Sequence, residues 1–83
     1  MNKILEKRHF SEKVVQLVVE APMIARARKP GHFVIVICNG KGERIPLTIS
    51  DADAERGTVT LVVQAVGDST REICAKEPGE YLH

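Results

Sequence analysis

The β-branched residues of this chain fall into short runs separated by glycine and proline, a spacing that leaves no room for an architecture built on long helices. Lys13–Glu20 (KVVQLVVE), His32–Cys38 (HFVIVIC), Arg44–Ser50 (RIPLTIS) and Thr58–Val66 (TVTLVVQAV) are dense in Val, Ile and Thr and too short for ordinary helices. Lys3–Phe10 alternates loosely and, across Ser11-Glu12, makes an opening antiparallel pair with Lys13–Glu20. Ala21-Pro22 stops the second strand, and Ala21 to Lys29, with Arg26, Arg28 and Lys29, reads as a solvated loop. Pro30-Gly31 launches the third run, whose continuous apolar character predicts a strand buried on both sides. Asn39-Gly40-Lys41-Gly42 supplies a hairpin link to the fourth. Pro46 has no N–H for a ladder, which puts that strand at an edge or a bulge. After the fifth run, Gly67-Asp68-Ser69-Thr70 introduces a short helix over Arg71–Lys76, capped by Asp68 or Ser69 and ended by Pro78-Gly79.

Five strands and one helix, with no internal repeat, predict an all-β sandwich or barrel with one helical insert. A small barrel needs a closing strand, and nothing after Tyr81 is long enough to supply one. The chain is therefore expected to be a truncated domain with an open edge that pairs with a second copy, as a homodimer or higher assembly. With 83 residues, 43% of them hydrophobic, it builds one core near the lower limit of independent folding.

Composition removes several function classes. A net charge of +1 argues against a nucleic-acid surface, because phosphate binding shows as an excess of Lys and Arg. The main alternative with this strand count, an oligonucleotide-binding barrel, stacks bases on aromatics, and here only Phe10, Phe33 and Tyr81 are available, two of them expected to be buried. A ligand-free module that docks a larger subunit is the other alternative. Cys38 and Cys74 are too few for a disulfide framework or a four-ligand metal site, and His9, His32 and His83 lack metal spacing. Asp51, Asp53 and Glu55 read as a solvated connector. Neither a signal-like run nor a membrane span is present, which predicts a cytoplasmic protein with no membrane partner.

Two segments carry chemistry. Arg44 to Thr48 packs a cation, a proline, an apolar residue and a hydroxyl into one strand, the residue types a flavin nucleotide asks for at its phosphates, its ring and its reactive nitrogen. Arg44, Leu47 and Thr48 supply these in turn; the bland reading is a surface cation followed by in–out alternation. Gly67 to Thr70 follows a strand and opens a helix, a place where backbone N–H groups and hydroxyls receive phosphate, or where they do no more than cap.

The order Pro30-Gly31-His32-Phe33, then Arg44-Ile45-Pro46-Leu47-Thr48, then Gln64-Ala65-Val66-Gly67-Asp68-Ser69-Thr70 resembles the FAD-binding domain of the ferredoxin–NADP reductase superfamily. The nearest branch holds the electron-transfer subunits of dihydroorotate dehydrogenase, the gamma subunits of certain hydrogenases and sulfide dehydrogenases, and the alpha subunit of NADH-dependent ferredoxin–NADP reductases. Covering essentially the whole chain, the resemblance implies a small antiparallel Greek-key β-barrel with one short helix that holds FAD. Arg44, Pro46, Leu47 and Thr48 are implied at the flavin and its phosphates, with Thr48 at the reactive edge. Gly67, Ser69 and Thr70 are implied at the pyrophosphate, and Val63, Gln64 and Ala65 line the nucleotide by backbone. His32 falls near the flavin. Residues 1–83 are then the N-terminal piece of a longer reductase subunit, not catalytically competent alone. Its NAD(P)H domain and iron–sulfur cluster lie elsewhere in the protein or in a partner subunit. The broader family has an arginine three positions before the hydroxyl and an aromatic immediately before it, whereas here Arg44 stands four before Thr48 and Leu47 replaces the aromatic.

Overall fold

The computed structural model describes residues 2–27, 33–37 and 44–82. The elements run β1 (Asn2–His9), β2 (Val14–Glu20), α1 (Pro22–Ala27), β3 (Phe33–Ile37), β4 (Arg44–Asp53), β5 (Thr58–Gln64), α2 (Asp68–Ala75) and β6 (Tyr81–Leu82). The expected turns at Pro30-Gly31 and Asn39–Gly42, together with His32, Cys38 and His83, lie outside the described residues.

All strands join one antiparallel sheet in the order β3-β4-β5-β2-β1-β6. Three consecutive strands, β3, β4 and β5, sit side by side with β2 beside β5, which is the Greek-key arrangement. Alternating directions make the two outermost strands, β3 and β6, antiparallel to each other. Both line one apolar cavity of about 70 Å³, with Asn2 and Leu82 on one side and Val34, Ile35 and Val36 on the other. The sheet thus curls into a nearly closed barrel.

Period-two alternation fills its interior. Val15, Leu17 and Val19 of β2 pair across to Val63, Leu61 and Val59 of β5, and all six are buried. Ile49 extends the Leu61 layer from β4, Ile4 extends the Val19 layer from β1, and Ile73 of α2 is buried with them.

The structure departs from the sequence reading in several places. Residues read as a solvated loop contain α1, which starts at Pro22, where the missing N–H costs nothing. Its reason is tertiary. Ala25 is buried, the Ala21 N–H donates to the Gly57 carbonyl at 2.8 Å, and a Cβ on Gly57 would stand 3.1 Å from the Cβ of Pro22. Gly57 itself has φ +69°, a value that favours glycine. A sixth strand, β6, also forms despite its length of two residues. Backbone bonds at its approach hold it: Gly79 N–H to Ile4 carbonyl and Ile4 N–H to Glu80 carbonyl, both at 2.8 Å.

β3 is not buried on both sides. Only Val36 is fully inside, whereas Phe33, Ile35 and Ile37 are exposed, because a strand at the margin of a single-layer barrel has only one inner face. Phe10 and Tyr81 are exposed as well, so no two of the aromatics are buried. β4 continues through Asp53, two of the three residues read as connector, before a turn in which Asp53 Oδ1 accepts the N–H groups of Glu55 and Arg56. The N-cap of α2 is Gly67, not Asp68 or Ser69.

Candidate functional site

β4 changes partners along its length. Its first half, Arg44 to Thr48, pairs with Ile37 to Phe33 of β3. Its second half, from Ile49, pairs with β5, and the ladder ends at Ile49↔Leu61 after an irregularity between Ile49 and Asp51. β5 beyond Leu61 stays with β2 through Val14↔Gln64. The two strands therefore part between the Arg44–Thr48 half of β4 and the Val62–Gln64 end of β5. Pro46 sits in this parted half, bound by β3 alone, where its missing donor costs no bond to β5.

Because β4 and β5 are antiparallel, the start of one and the end of the other lie at the same end of the barrel. The turn from β5 into α2 lies there too, drawn back onto β5 where the Cys74 thiol meets the Val63 carbonyl at 3.7 Å. Thus the structure brings the two sequence-predicted segments, Arg44–Thr48 and Gln64–Thr70, to one end of one sheet.

Within the first segment, Arg44, Pro46 and Thr48 point outward and are exposed, while Leu47 is buried in the core. Leu47 offers a ligand its backbone only; its side chain is not the apolar surface the sequence reading gave it. Among the described residues Arg44 has no ion-pair partner and the Thr48 hydroxyl no hydrogen bond. β3 presents Phe33, Ile35 and Ile37 on this same outer face, directly across from Thr48, Pro46 and Arg44.

In the second segment the backbone is differentiated. The Ala65 N–H is taken by the carbonyl of Lys13, the residue before β2, at 2.6 Å, so by strand alternation the N–H and C=O of Gln64 face the β4 side, beyond the last ladder pair. Val63 is fully buried. Thr70 closes the helix start: its hydroxyl accepts from the N–H groups of Val66 at 2.9 Å and Gly67 at 3.0 Å and donates to the Gly67 carbonyl at 3.1 Å. That hydroxyl is a cap, not a free phosphate donor. The first-turn N–H groups of α2 remain the anion-directed donors. Asp68 is turned out to solvent and pairs with Arg71 at 3.9 Å, so its charge does not aim into the site. Ser69 is half-buried.

Behind α2, burial raises the Cys74 thiol above its ordinary range, and the nearby Lys7 ammonium opposes the shift without reversing it. Lys7 reaches out from between the barrel and α2 to Glu77, Nζ to Oε1 at 3.2 Å. Among the described residues there is no cluster of three or more His, Cys, Asp or Glu fit for a metal, and no helix long and apolar enough to cross a membrane.

No protein-family model matches the chain. Curated relatives do. An uncharacterized protein in the adh 3′ region of Clostridium beijerinckii is 44% identical over 82 residues, covering 99% of this chain and 28% of the relative. A dihydroorotate dehydrogenase B (NAD(+)) electron transfer subunit homolog of Thermotoga maritima is 36% identical over 82 residues, covering 99% of this chain and 29% of the relative. Among solved structures, a chain of an NADH-dependent reduced ferredoxin–NADP oxidoreductase, studied for flavin-based electron bifurcation, superposes with a TM-score of 0.94 at 35% identity, covering 99% of this chain and 30% of that one. The chain thus spans just under a third of the length of the proteins it matches, and those with functional names are electron-transfer components of oxidoreductases.

Proposed function

We propose, from the premise that this chain belongs to the ferredoxin–NADP reductase superfamily, in the branch of dihydroorotate dehydrogenase electron-transfer subunits and NADH-dependent ferredoxin–NADP reductases, that it is an FAD-binding barrel. It is the N-terminal part of a longer cytoplasmic subunit that passes electrons between a nicotinamide nucleotide and an iron–sulfur partner. Bound there, FAD supplies the exchange between two-electron hydride chemistry and one-electron transfer. The chain's own share is placement and electrostatics.

The observation that carries the reading is the parting of β4 from β5 at Ile49↔Leu61, which leaves Arg44–Thr48 and the Gln64–Gly67 turn at one end of the barrel. Thr48 offers an exposed hydroxyl as hydrogen-bond partner for the reactive ring edge. Arg44, four residues and roughly 13 Å along the strand, offers a cation to phosphate. Gln64 presents backbone N–H and C=O toward the nucleotide, and the first turn of α2 directs N–H groups at the pyrophosphate. Gly67 fits this role on steric grounds, since a Cβ at this position would meet no atom within 4 Å among the described residues beyond its two chain neighbours. Ser69 borders the same turn, and Thr70 acts by holding it in shape.

Titrating FAD into the purified chain, followed by flavin fluorescence and calorimetry, tests the reading. Saturable binding is expected, weakened roughly tenfold or more in an Arg44→Ala, Thr48→Ala double variant through loss of a charge-assisted contact and a hydrogen bond. If the unmodified chain takes up no FAD at millimolar concentration, the reading is wrong.

A further inference from the structure

β3 carries a feature that the core does not account for. Val34 and Val36 pack inward, yet the alternate residues Phe33, Ile35 and Ile37 are also large and apolar, at 61%, 47% and 45% exposure. A strand with one wet face ordinarily alternates apolar with polar. This strip is one strand wide, far short of the roughly 800 Å² per partner that a specific protein interface buries. It lies in register with the candidate flavin strand: Phe33 opposite Thr48, Ile35 opposite Pro46, Ile37 opposite Arg44. Directly opposed residues on one face have Cβ atoms about 5 Å apart, within reach of one flat ring laid across both strands.

We propose that Phe33, supported by Ile35, is a flavin-positioning residue: the apolar benzenoid part of the isoalloxazine lies against β3 while its polar edge reaches Thr48 on β4. This rests on the FAD reading above and adds to it the orientation of the ring and the strand that fixes it. The amphipathic ring system meets an amphipathic pair of strands, apolar on β3 and bearing the hydroxyl and the cation on β4. A ring turned the other way would set its polar edge on the apolar strip and leave the Thr48 hydroxyl facing hydrocarbon, losing hydrogen bonds.

The chain contains no tryptophan, so Phe33→Trp makes a unique fluorescent reporter, and Glu55→Trp, on the exposed turn between β4 and β5 at the opposite end of β5 from Gln64, serves as a remote control. FAD is titrated into the unmodified chain, Phe33→Ala, Phe33→Trp and Glu55→Trp, with the melting temperature of each measured without flavin. Expected are a roughly three- to tenfold weaker FAD affinity in Phe33→Ala, as for loss of one aromatic contact, with little change in the flavin-free melt because the ring is exposed. Saturating FAD quenches the Phe33→Trp indole almost completely and the Glu55→Trp indole only in part. If the unmodified chain binds FAD but Phe33→Ala binds equally well, or the two indoles quench alike, the placement of the ring is overturned and the FAD reading stands. If the unmodified chain does not bind FAD, both are overturned.

Discussion

At Gly67 the backbone is extended (φ −162°, ψ 179°), a conformation open to any residue, and no atom of the described residues beyond its chain neighbours fills the space beside it. Nothing in the fold requires glycine there, in contrast to Gly57, where both φ and Pro22 do. Serine is at least as good an N-cap as glycine, so Gly67→Ser is expected to leave the flavin-free melting temperature unchanged or slightly raised. If dinucleotide backbone occupies that space, the same substitution lowers FAD affinity about tenfold, near 1.4 kcal/mol, measured by titration. Thr70→Val should do the reverse in kind. It removes the hydroxyl that holds the Val66 and Gly67 N–H groups and costs about 1 kcal/mol of stability, read from denaturant midpoints. Cys74 gives a pH signature. Its thiol is harder to ionise folded than unfolded, chiefly through burial, so the folded state holds its proton more tightly. The stability this contributes is fully present below the unfolded thiol's range and is lost as pH rises through the folded one. Melts above pH 9 should therefore fall less steeply with pH in Cys74→Ala than in the parent.

Among elements, what the sequence made legible and what it hid divide along one physical line. Strands whose alternation is driven by the core were readable to within two residues: Thr58–Gln64 for an expected Thr58–Val66, and Val14–Glu20 for an expected Lys13–Glu20. Short elements held by a few tertiary contacts were not. α1 depends on Ala25 entering the core and on the fit of Pro22 against Gly57, and neither leaves a helical period in six residues. β6 depends on backbone bonds at Ile4, which no side-chain pattern announces. β3 misled for a related reason: a continuous apolar run signals burial on both faces whatever surface the second face meets. At the candidate site, Arg44, Pro46, Thr48 and Gly67 were legible as residue types at strand and turn positions. That Leu47 turns inward and that the Thr70 hydroxyl is already engaged followed only from register and geometry. The anchoring of α2 is testable at this scale. Ile73 is almost wholly buried, and Ile73→Ala should cost about 2–5 kcal/mol, seen as a lowered denaturant midpoint. FAD affinity should fall with it, because the N-terminal turn of α2 is held to β5 by the same packing.

For the molecule as a whole, size sets how ligand and fold are coupled. A chain of 83 residues buries a modest fraction of its surface, so its stability sits near the small end of what single domains reach. The margin where β3 meets β6 is closed by contacts around a small cavity, with no ladder between these strands among the described residues. A ligand spanning the β3–β4 face and the β5–α2 turn would tie together strands from both sides of the point where β4 and β5 part. Binding to the folded chain alone stabilises it by mass action, about 2.7 kcal/mol at a free concentration one hundred times the dissociation constant. In a domain this small each kcal/mol moves the melting temperature by about 4–8 °C, so FAD at that excess should raise it by roughly 10–20 °C. FMN lacks the second phosphate and the adenosine, and so leaves the first turn of α2 uncontacted; at the same multiple of FAD's dissociation constant it should raise the melt by clearly less. Differential scanning fluorimetry through a dye that does not overlap flavin emission separates these outcomes. Equal shifts from FMN and FAD would mean that only the β3–β4 face is engaged, and the α2 turn would then lose its assigned role while the flavin strand kept its own.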